Sequence, residues 1–292
     1  MKTLNIIGAG RVGRTLASLW EEKRTFAIQD VLDHTPQGGV SAVAFIGDGR
    51  AVSRMGDMRA ADAWMLTPPD GAIAACCAEL AQSGLPRRGD VVFHCSGALA
   101  SAVLAPAAAC GALTASVHPL KSFADPRDAV RSFAGTYCAA EGERAALDLL
   151  RPAFERIGAA VSEIEPRFKT IYHAASVIVC NYLTALLETG LRSYEKSGLT
   201  RDTALKMMEP LVRETVDNVF KLGTAKALTG PIARGDDEVV ARQLDALAAW
   251  DARVAGVYRE LGGVALNLAR VQGEADAEAL ARLEKILKNK AG

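Results

Sequence analysis

The stretch 3-TLNIIGAGRVGRTLASLWEE-22 decides the fold. Its first residues, Thr3–Gly8, are a short, β-rich apolar run, and a helical pattern runs from Arg14 to Glu22. Between them lies the spacing GxGxxG, and an acid, Asp33, follows about twenty residues later, as in a dinucleotide-binding βα unit. We therefore interpret the stretch as a strand, a phosphate-binding glycine turn and a helix.

The three glycines have separate tasks in such a turn. The first allows a tight turn, the second lets the backbone approach a pyrophosphate, and the third lets the helix pack closely on the strand. The helix N-terminus adds free N–H groups and a partial positive charge for the phosphates. A tight turn without a ligand is the alternative interpretation. We predict that the cofactor contacts Gly8, Ala9, Gly10, Arg11, Val12 and Gly13.

The residues after the second strand bear on the choice between NAD and NADP. The Asp33 carboxylate could accept hydrogen bonds from the ribose hydroxyls of NAD, and it would repel the 2′-phosphate of NADP. His34, Thr35 and Arg11 could instead hold that phosphate together, and His34 also fits an ordinary surface loop. The residues leave NAD and NADP as near-even alternatives.

Strand and helix patterns alternate over the first part of the chain. Helical patterns occupy 72–84, 98–111 and 143–158. This alternation predicts an α/β fold with a doubly wound, mainly parallel sheet. Apolar runs that we interpret as further strands occupy 26–33, 40–47, 61–69, 89–97, 112–119, 135–142 and 159–166.

The strand signals stop at about residue 165, and only helical patterns follow. They cover 167–197, 200–222, 237–270 and 275–289. We therefore predict two domains, a dinucleotide-binding domain over 1–165 and an all-α domain over 166–292.

Three polar clusters follow predicted strands, at 67–70, 94–97 and 118–123. In open α/β sheets, ligands bind at the carboxyl ends of the strands. Simpler interpretations are a turn serine at Ser96, a histidine capping its own loop at His118, and a core histidine at His94. We predict that Thr67, Pro68 and Asp70 contact the cofactor, that Ser96 and His118 act in catalysis, and that Gly97 and Lys121 contact the substrate.

The helix that starts near Arg167 carries a narrow polar stripe. At 100° per residue, Lys169 and His173 share one face, and Asn181 lies beside it. A stripe of small polar groups with one lysine and one histidine is typical of a cleft, where either residue could move a proton. A stripe that pairs the helix with a neighbouring helix is the alternative. We predict catalytic roles for Lys169 and His173 and a substrate contact for Asn181.

The loop 227-ALTGPIARGDDE-238 contains a candidate substrate anchor. Arg234 stands near the start of a helix and could bind a substrate carboxylate with two hydrogen bonds. The alternative is an ion pair within the loop, with Asp236 or Asp237.

The composition bears on several classes of partner. The chain has 34 basic and 34 acidic residues, so no charge excess predicts a nucleic-acid partner. Its six cysteines form no CxxC pair, which predicts no metal site and buried, reduced thiols. No uninterrupted apolar run reaches membrane-spanning length, and the first run is too short for a signal peptide. We expect a cytoplasmic protein that binds a small-molecule substrate and neither nucleic acid nor a membrane.

Together these motifs resemble a group of bacterial proteins described as NADP oxidoreductases. They join a Rossmann-like NAD(P)-binding domain to a C-terminal helical domain of unassigned function. The group is more distantly similar to pyrroline-5-carboxylate reductase, ketopantoate reductase and the β-hydroxyacid dehydrogenases. The resemblance covers nearly the whole chain and rests on GAGRVG (8–13), SGA (96–98), HPLKSF (118–123), YHAASVIVCN (172–181) and LTGPIARGD (228–236).

The resemblance implies roles for particular residues. In the β-hydroxyacid dehydrogenases, a Ser-Gly loop and a lysine on the first helix of the second domain serve the substrate, and Ser96-Gly97 and Lys169 match those places. Those enzymes have an asparagine where this chain has His173. The NADP-using relatives often end the second strand in Asn-Arg-Ser/Thr, so Asp33-His34-Thr35 weakens the NADP assignment. The resemblance also implies a homodimer through the helical domain.

The function expected from these observations is an NAD- or NADP-dependent oxidoreductase acting on a small, anionic carbonyl, imine or alcohol compound. Lys169 or His173 would move the proton, Ser96 and His118 would orient the substrate, and Arg234 would hold its anionic group. The alternative is a sensor or scaffold protein that binds NAD(P) without turnover, because one fold hosts both functions.

Overall fold

The computed structural model describes residues 1–289, and its first half is built on one twisted sheet. The strand order is β3-β2-β1-β4-β5-β6-β7-β8, and neighbours are parallel except for the antiparallel pair β6–β7. The predicted α/β class with a mainly parallel sheet is confirmed. The strands are β1 (Lys2–Ile7), β2 (Phe26–Leu32), β3 (Arg50–Val52), β4 (Ala63–Leu66), β5 (Val91–His94), β6 (Leu113–Pro119), β7 (Tyr137–Gly142) and β8 (Ala160–Glu163).

Helices connect the strands of the first half, one further helix follows β8, and the later part of the described chain is helical. They are α1 (Arg11–Glu22), α2 (Pro36–Ile46), α3 (Asp70–Gln82), α4 (Ala105–Ala109), α5 (Pro126–Arg131), α6 (Arg144–Arg156) and α7 (Lys169–Ser176). The later helices are α8 (Tyr182–Lys196), α9 (Arg201–Leu222), α10 (Thr224–Ala227), α11 (Pro231–Arg234), α12 (Asp237–Trp250), α13 (Ala252–Gln272) and α14 (Ala277–Lys288).

The strand predicted at 40–47 is wrong, because these residues lie in α2. The Thr35 side chain caps the helix by accepting a hydrogen bond from the Gly38 N–H at 3.0 Å. Pro36 occupies the first helical position, where its fixed φ favours a helix. Strand β3 is instead the short segment that follows. The expectation of buried thiols holds for Cys77, Cys95 and Cys138, whereas Cys76 is half-buried and Cys110 and Cys180 are exposed.

An aromatic cluster fixes α1 on the sheet. The Trp20 ring packs edge-on against Phe26, Phe93 and Phe154, with centroid distances of 5.3, 6.2 and 5.1 Å. The indole N–H of Trp20 also donates to the Ala153 carbonyl oxygen at 2.9 Å. Because all four rings are buried, this cluster holds the helix that follows the glycine turn in a defined position.

The chain divides into two compact units, Met1–Asn181 and the residues from Tyr182 on. The first unit therefore contains α7, with Lys169 and His173. The domain boundary near residue 165 stays a prediction. The second unit has its own apolar core, which includes Val240, Leu266, Leu280 and Leu283. Asp251 caps α13 by accepting from the Arg253 and Val254 N–H groups, which divides the helix predicted at 237–270 in two.

One helical segment, Pro166–Lys196, is long and apolar enough to cross a membrane, judged by length and composition alone. The expectation concerned uninterrupted apolar runs, so this helix does not contradict it. Its apolar residues are interrupted by uncharged polar ones, so no continuous apolar run marks it in the sequence. A π-helical turn at Val177–Asn181 interrupts its α-helical hydrogen bonding.

Candidate active site

Three parallel strands, β1, β4 and β5, end in register at one edge of the sheet, and the neighbouring β6 continues three residues further. Ile7 pairs with Leu66, Leu66 with His94, and His94 with Ser116. The glycine turn, the Thr67 loop and the Ser96 loop therefore leave the sheet side by side, next to the last residues of β6. At the usual strand spacing, three steps along this edge span roughly 14 Å. The first unit thus places the predicted cofactor residues beside several predicted catalytic ones.

The glycine turn is shaped as the fingerprint requires. Gly8 has a φ of +86°, and a Cβ there would collide with the Pro68 backbone. A Cβ on Gly13 would lie 2.5 Å from Thr67 Oγ1 and 2.8 Å from the Gly8 carbonyl oxygen. Gly10 has open space beside it, and α1 begins there without a side-chain cap. The turn therefore fits a pyrophosphate at Gly10 and at the first N–H groups of the helix.

The predicted cofactor residues beyond the turn lie in the same unit. Thr67 Oγ1 donates to the Gly8 carbonyl oxygen at 2.6 Å, which joins the loop after β4 to the glycine turn. The Asp33 carboxylate is mostly buried and accepts from the His34 N–H at 2.8 Å, whereas the His34 ring is exposed. A cavity of about 80 Å³ lies by these loops, lined by Val12, Leu66, Thr67, Pro68, Asp70, Ile73, Cys95 and Ser96.

Lys169 is buried inside the first unit and does not line an open cleft. Its side chain and that of Glu141 are each 1% exposed, and Nζ lies 3.1 Å from Glu141 Oε1. Nζ also donates to Ser116 Oγ, and Ser116 and Glu141 face each other across β6 and β7. Burial lowers the pKa of Lys169 against the opposing effect of Glu141. The interpretation of Lys169 as part of a cleft stripe is wrong, because the ammonium points into the sheet.

Glu141 is a part of the site that the sequence analysis missed. Besides Lys169, its carboxylate accepts from the Ser101 N–H at 2.8 Å and from the Ser101 hydroxyl at 2.7 Å. The sequence offered one signal for this role, an acidic residue inside the otherwise apolar run YCAAEG (137–142). The carboxylate thus ties the loop after β5 and helix α7 to the last residues of β7.

Ser96 and His94 support the loop after β5. Ser96 Oγ accepts from the Ala98 and Leu99 N–H groups, both at 3.1 Å, as in a turn serine. His94 is fully buried, and its Nδ1 accepts from the Ser96 N–H at 3.1 Å. Burial and the nearby Lys169 charge lower the pKa of His94 to about 4. His94 is therefore the neutral core histidine that was expected.

His118, Tyr172 and His173 meet around Gly97. His118 Nδ1 lies 2.9 Å from the Tyr172 hydroxyl oxygen, and the two histidine ring centroids are 5.9 Å apart. A Cβ on Gly97 would lie 2.8 Å from His118 Nε2 and 2.6 Å from His173 Nδ1. Burial, followed by His173 and Lys169, lowers the pKa of His118 to about 4, and burial raises that of Tyr172 to about 12. Two predicted catalytic residues thus adjoin each other, and Tyr172 was missed.

Three predicted substrate residues have other surroundings. Lys121 donates to the Ser132 carbonyl oxygen at 2.7 Å. Asn181 is exposed at the end of the π-helical turn. In the second unit, Arg234 Nε donates to Asp236 Oδ2 at 3.0 Å, so the alternative ion pair within the loop is formed. Both side chains of this pair are largely exposed, so the ion pair is weak and the substrate contact of Arg234 stays a prediction.

Two family models match the chain. A Rossmann-like domain matches residues 2–119, and a domain of unknown function, DUF2520, matches residues 136–264. No curated protein is significantly similar in sequence.

Several solved structures share the fold. Protein TM1727 from Thermotoga maritima has a TM-score of 0.75 and 24% identity, covering 93% of this chain and 100% of that chain. The V8 variant of an imine reductase from Myxococcus stipitatus, in complex with NAD+, has a TM-score of 0.62 and 17% identity, covering 97% and 99%. A pyrroline carboxylate reductase from Plasmodium falciparum with NADP bound has a TM-score of 0.56 and 12% identity, covering 98% and 98%.

At these identities the likeness concerns the fold. The domain of unknown function covers β7, α7 and much of the helical second unit. The chain therefore joins a Rossmann-like domain to a C-terminal helical domain of unassigned function, and the resemblance drawn from its motifs is confirmed.

Proposed function

We propose that the protein is an NAD(P)-dependent oxidoreductase acting on a small carbonyl, imine or alcohol compound. The observation that carries the proposal is the shared sheet edge, where a glycine turn fit for a pyrophosphate and a cluster of two histidines and a tyrosine both lie. Structures of this fold with NADP or NAD+ bound support a nicotinamide cofactor.

The cofactor would be held by the glycine turn and the Thr67 loop. The open space at Gly10 admits a phosphate, and Thr67 keeps the turn in shape through its bond to Gly8. Asp33 would accept hydrogen bonds from the adenosine ribose. When bound, the nicotinamide supplies or accepts the hydride.

The proton is assigned to the histidine pair and not to Lys169. A lysine in a buried ion pair could leave its partner only at the cost of an uncompensated Glu141 charge. His173 is half-buried and adjoins His118, so its ring can give a proton to the substrate on reduction and take it back on oxidation. Lys169 then serves to position α7. The substrate contacts of Gly97, Lys121, Asn181 and Arg234, and an anionic group on the substrate, stay predictions.

Two measurements test the function. Thermal unfolding with NAD or NADP should show stabilisation, which amounts to about 2.7 kcal/mol at 100 times the dissociation constant. A screen of acids, aldehydes, imines and alcohols, followed by NAD(P)H absorbance, should then find turnover that His173→Gln lowers by roughly 100-fold or more. Binding without turnover across the screen would favour the sensor or scaffold alternative. Absence of cofactor binding would refute both.

We also propose that the protein is a cytoplasmic homodimer formed through its helical unit, with no nucleic-acid or membrane partner. Helix α9 buries only Ala204, whereas Met207, Leu211 and Phe220 are 52%, 56% and 87% exposed. An apolar helix face of this kind is more stable when another protein surface covers it.

A further inference from the structure

We propose that Tyr172 is a positioning residue that fixes His118 with its proton on Nε2 and directs that N–H toward Nδ1 of His173. The three side chains would form a hydrogen-bonded relay that leaves the His173 proton on Nε2. The relay concerns the side chains of the first unit alone and needs neither cofactor nor substrate.

The first step is the contact between Tyr172 and His118. The Tyr172 hydroxyl and His118 Nδ1 are 2.9 Å apart, and the rings meet edge-on with an interplanar angle of 83°. The phenol keeps its proton at neutral pH because its pKa is raised to about 12, and His118 is neutral because its pKa is lowered to about 4. Two neutral groups leave two arrangements, in which either the Tyr172 O–H donates to Nδ1 or an Nδ1–H donates to the phenol oxygen. We assign the first, in which His118 carries its proton on Nε2, because only this tautomer has an N–H on the side of His173.

The second step is the contact between the two histidines. His173 Nδ1 is buried and lacks a hydrogen-bond partner within residues 1–289. His173 Nδ1 and His118 Nε2 lie 2.6 and 2.8 Å from the position that a Gly97 Cβ would occupy, so the two nitrogens face the same small space without a hydrogen bond between them. A buried nitrogen without a partner is costly, and the His118 Nε2–H is the neighbouring donor that a small ring rotation would bring to it. His173 then accepts at Nδ1 and carries its own proton on Nε2.

The consequence for catalysis rests on the proposed function. With both tautomers fixed, a proton that leaves Nε2 of His173 is replaced along the relay. His173 Nδ1 takes the Nε2 proton of His118, and His118 Nδ1 takes the Tyr172 proton. The phenolate then regains a proton from solvent, so no imidazolate is formed. Removing the Tyr172 hydroxyl frees His118 to place its proton on Nδ1, so that Nε2 no longer donates to His173. Tyr172 thus acts through His118 and touches no reacting atom.

The test is histidine-selective 15N labelling with long-range 1H–15N correlation spectra at neutral pH, without cofactor. The chain has only four histidines, and His118→Gln and His173→Gln assign the relevant signals. We expect His118 and His173 as Nε2–H tautomers in the wild type and a mixture at His118 in Tyr172→Phe. Tyr137→Phe is the control, because Tyr137 is 65% exposed in the same unit. The His94 signal should not change, since its Nδ1 accepts from the Ser96 N–H.

A wild-type His118 protonated on Nδ1, or spectra unchanged by Tyr172→Phe, would overturn the proposal. Turnover is measured separately, and Tyr172→Phe should lower kcat roughly 10-fold with little change in KM, as expected for a positioning role. If the spectra agree but no substrate is turned over, the proposed function fails and the relay stands. If turnover is found but Tyr172→Phe leaves both tautomers and kcat unchanged, the relay fails and the function stands.

Discussion

At the scale of the residue, His94 shows how the interior sets a charge state. Its Nδ1 accepts from the Ser96 N–H, and its Nε2–H donates to the Ala100 carbonyl oxygen at 3.3 Å. Both bonds are made by a neutral ring. Burial disfavours the charged ring and the nearby Lys169 charge adds to this effect, which is why the pKa of His94 is lowered to about 4.

This lowered pKa makes stability depend on pH. An unfolded histidine titrates near pH 6.5, so between about 6.5 and 4 the unfolded state binds more protons than the folded state. We therefore expect the free energy of unfolding to fall as pH is lowered through this range, by roughly 3 kcal/mol from His94 when complete. Urea unfolding at intervals from pH 7.5 to 4.5 measures the slope.

The variant His94→Asn isolates this contribution, because the amide oxygen can still accept from Ser96 but does not titrate. The variant should be less stable at pH 7.5, and its stability should fall less steeply than that of the wild type below pH 6.5. Parallel curves for the two proteins would show that His94 is not the titrating group.

Asp33 is the residue that should set the cofactor preference. Its carboxylate is held at the end of β2 by the His34 N–H, where a 2′-phosphate would meet a fixed negative charge. We expect the wild type to bind NAD more tightly than NADP, and Asp33→Ser to shift the ratio of the two dissociation constants toward NADP by roughly tenfold or more. Titration calorimetry with both cofactors measures the ratio. The control is Asp48→Ser, which removes a negative charge from an exposed loop and should leave the ratio of the two dissociation constants unchanged.

At the scale of the element, Lys169, Glu141 and Ser101 join a helix, a strand and a loop. The ion pair is buried, and Glu141 makes two further hydrogen bonds to Ser101. A buried ion pair adds little to folding stability compared with apolar residues of the same shape. Loss of one partner, however, leaves the other charge buried without a counter-charge. The arrangement therefore specifies where α7 meets the sheet.

We expect Glu141→Gln to lower the free energy of unfolding by about 3–5 kcal/mol, because it leaves the Lys169 ammonium buried without its counter-charge. Adding Lys169→Met should restore part of the loss, and a double-mutant cycle in urea measures the coupling. Glu163→Gln is the matched control. Glu163 pairs with Arg144 and Arg151 at the surface of the same unit, so its loss should cost less than about 1 kcal/mol. Additive effects of the two buried substitutions would contradict a direct ion pair.

Elements specified by local chemistry could be predicted from the sequence. The unit β1–turn–α1 depends on glycines whose spacing is itself the structural requirement, and it was found within a few residues. The run 40–47 was misread because apolar content alone does not distinguish a strand from a helix. The deciding signal was the capping pair Thr35 and Pro36 just before it.

The candidate site was only partly predictable. Helical periodicity placed Lys169 and His173 on one face, but it does not tell which part of that face meets the sheet. Glu141 lies 28 residues from Lys169 and 40 from Ser101 in sequence, and only the pairing of β6 with β7 brings it to them. The Tyr172–His118 contact has the same origin, since its partners are 54 residues apart.

At the scale of the whole molecule, the surface of the helical unit is unusually apolar. Leu186 in α8 and Leu205, Met207 and Leu211 in α9 are each more than 40% exposed. Exposed single hydrophobic residues are normal, but several on two successive helices are typical of a surface that binds another protein. The candidate membrane-crossing segment Pro166–Lys196 includes α8. The exposed apolar side chains of α8 therefore account both for its apolar surface and for the high mean hydropathy of this segment.

We expect the purified protein to be a homodimer by size-exclusion chromatography with light scattering, and Leu211→Glu to convert it to a monomer by placing a charge in the apolar face. Val40→Glu is the control, because Val40 lies on α2 of the first unit and is 53% exposed, close to the 56% of Leu211. It should remain dimeric. A wild-type monomer at micromolar concentration, or a dimer unaffected by Leu211→Glu, would contradict this interface. If the chain were recovered only with membranes or detergent, the helical segment Pro166–Lys196 would instead be assigned to a lipid bilayer. In that case lipid acyl chains, and not a second copy of the protein, would cover its apolar side chains.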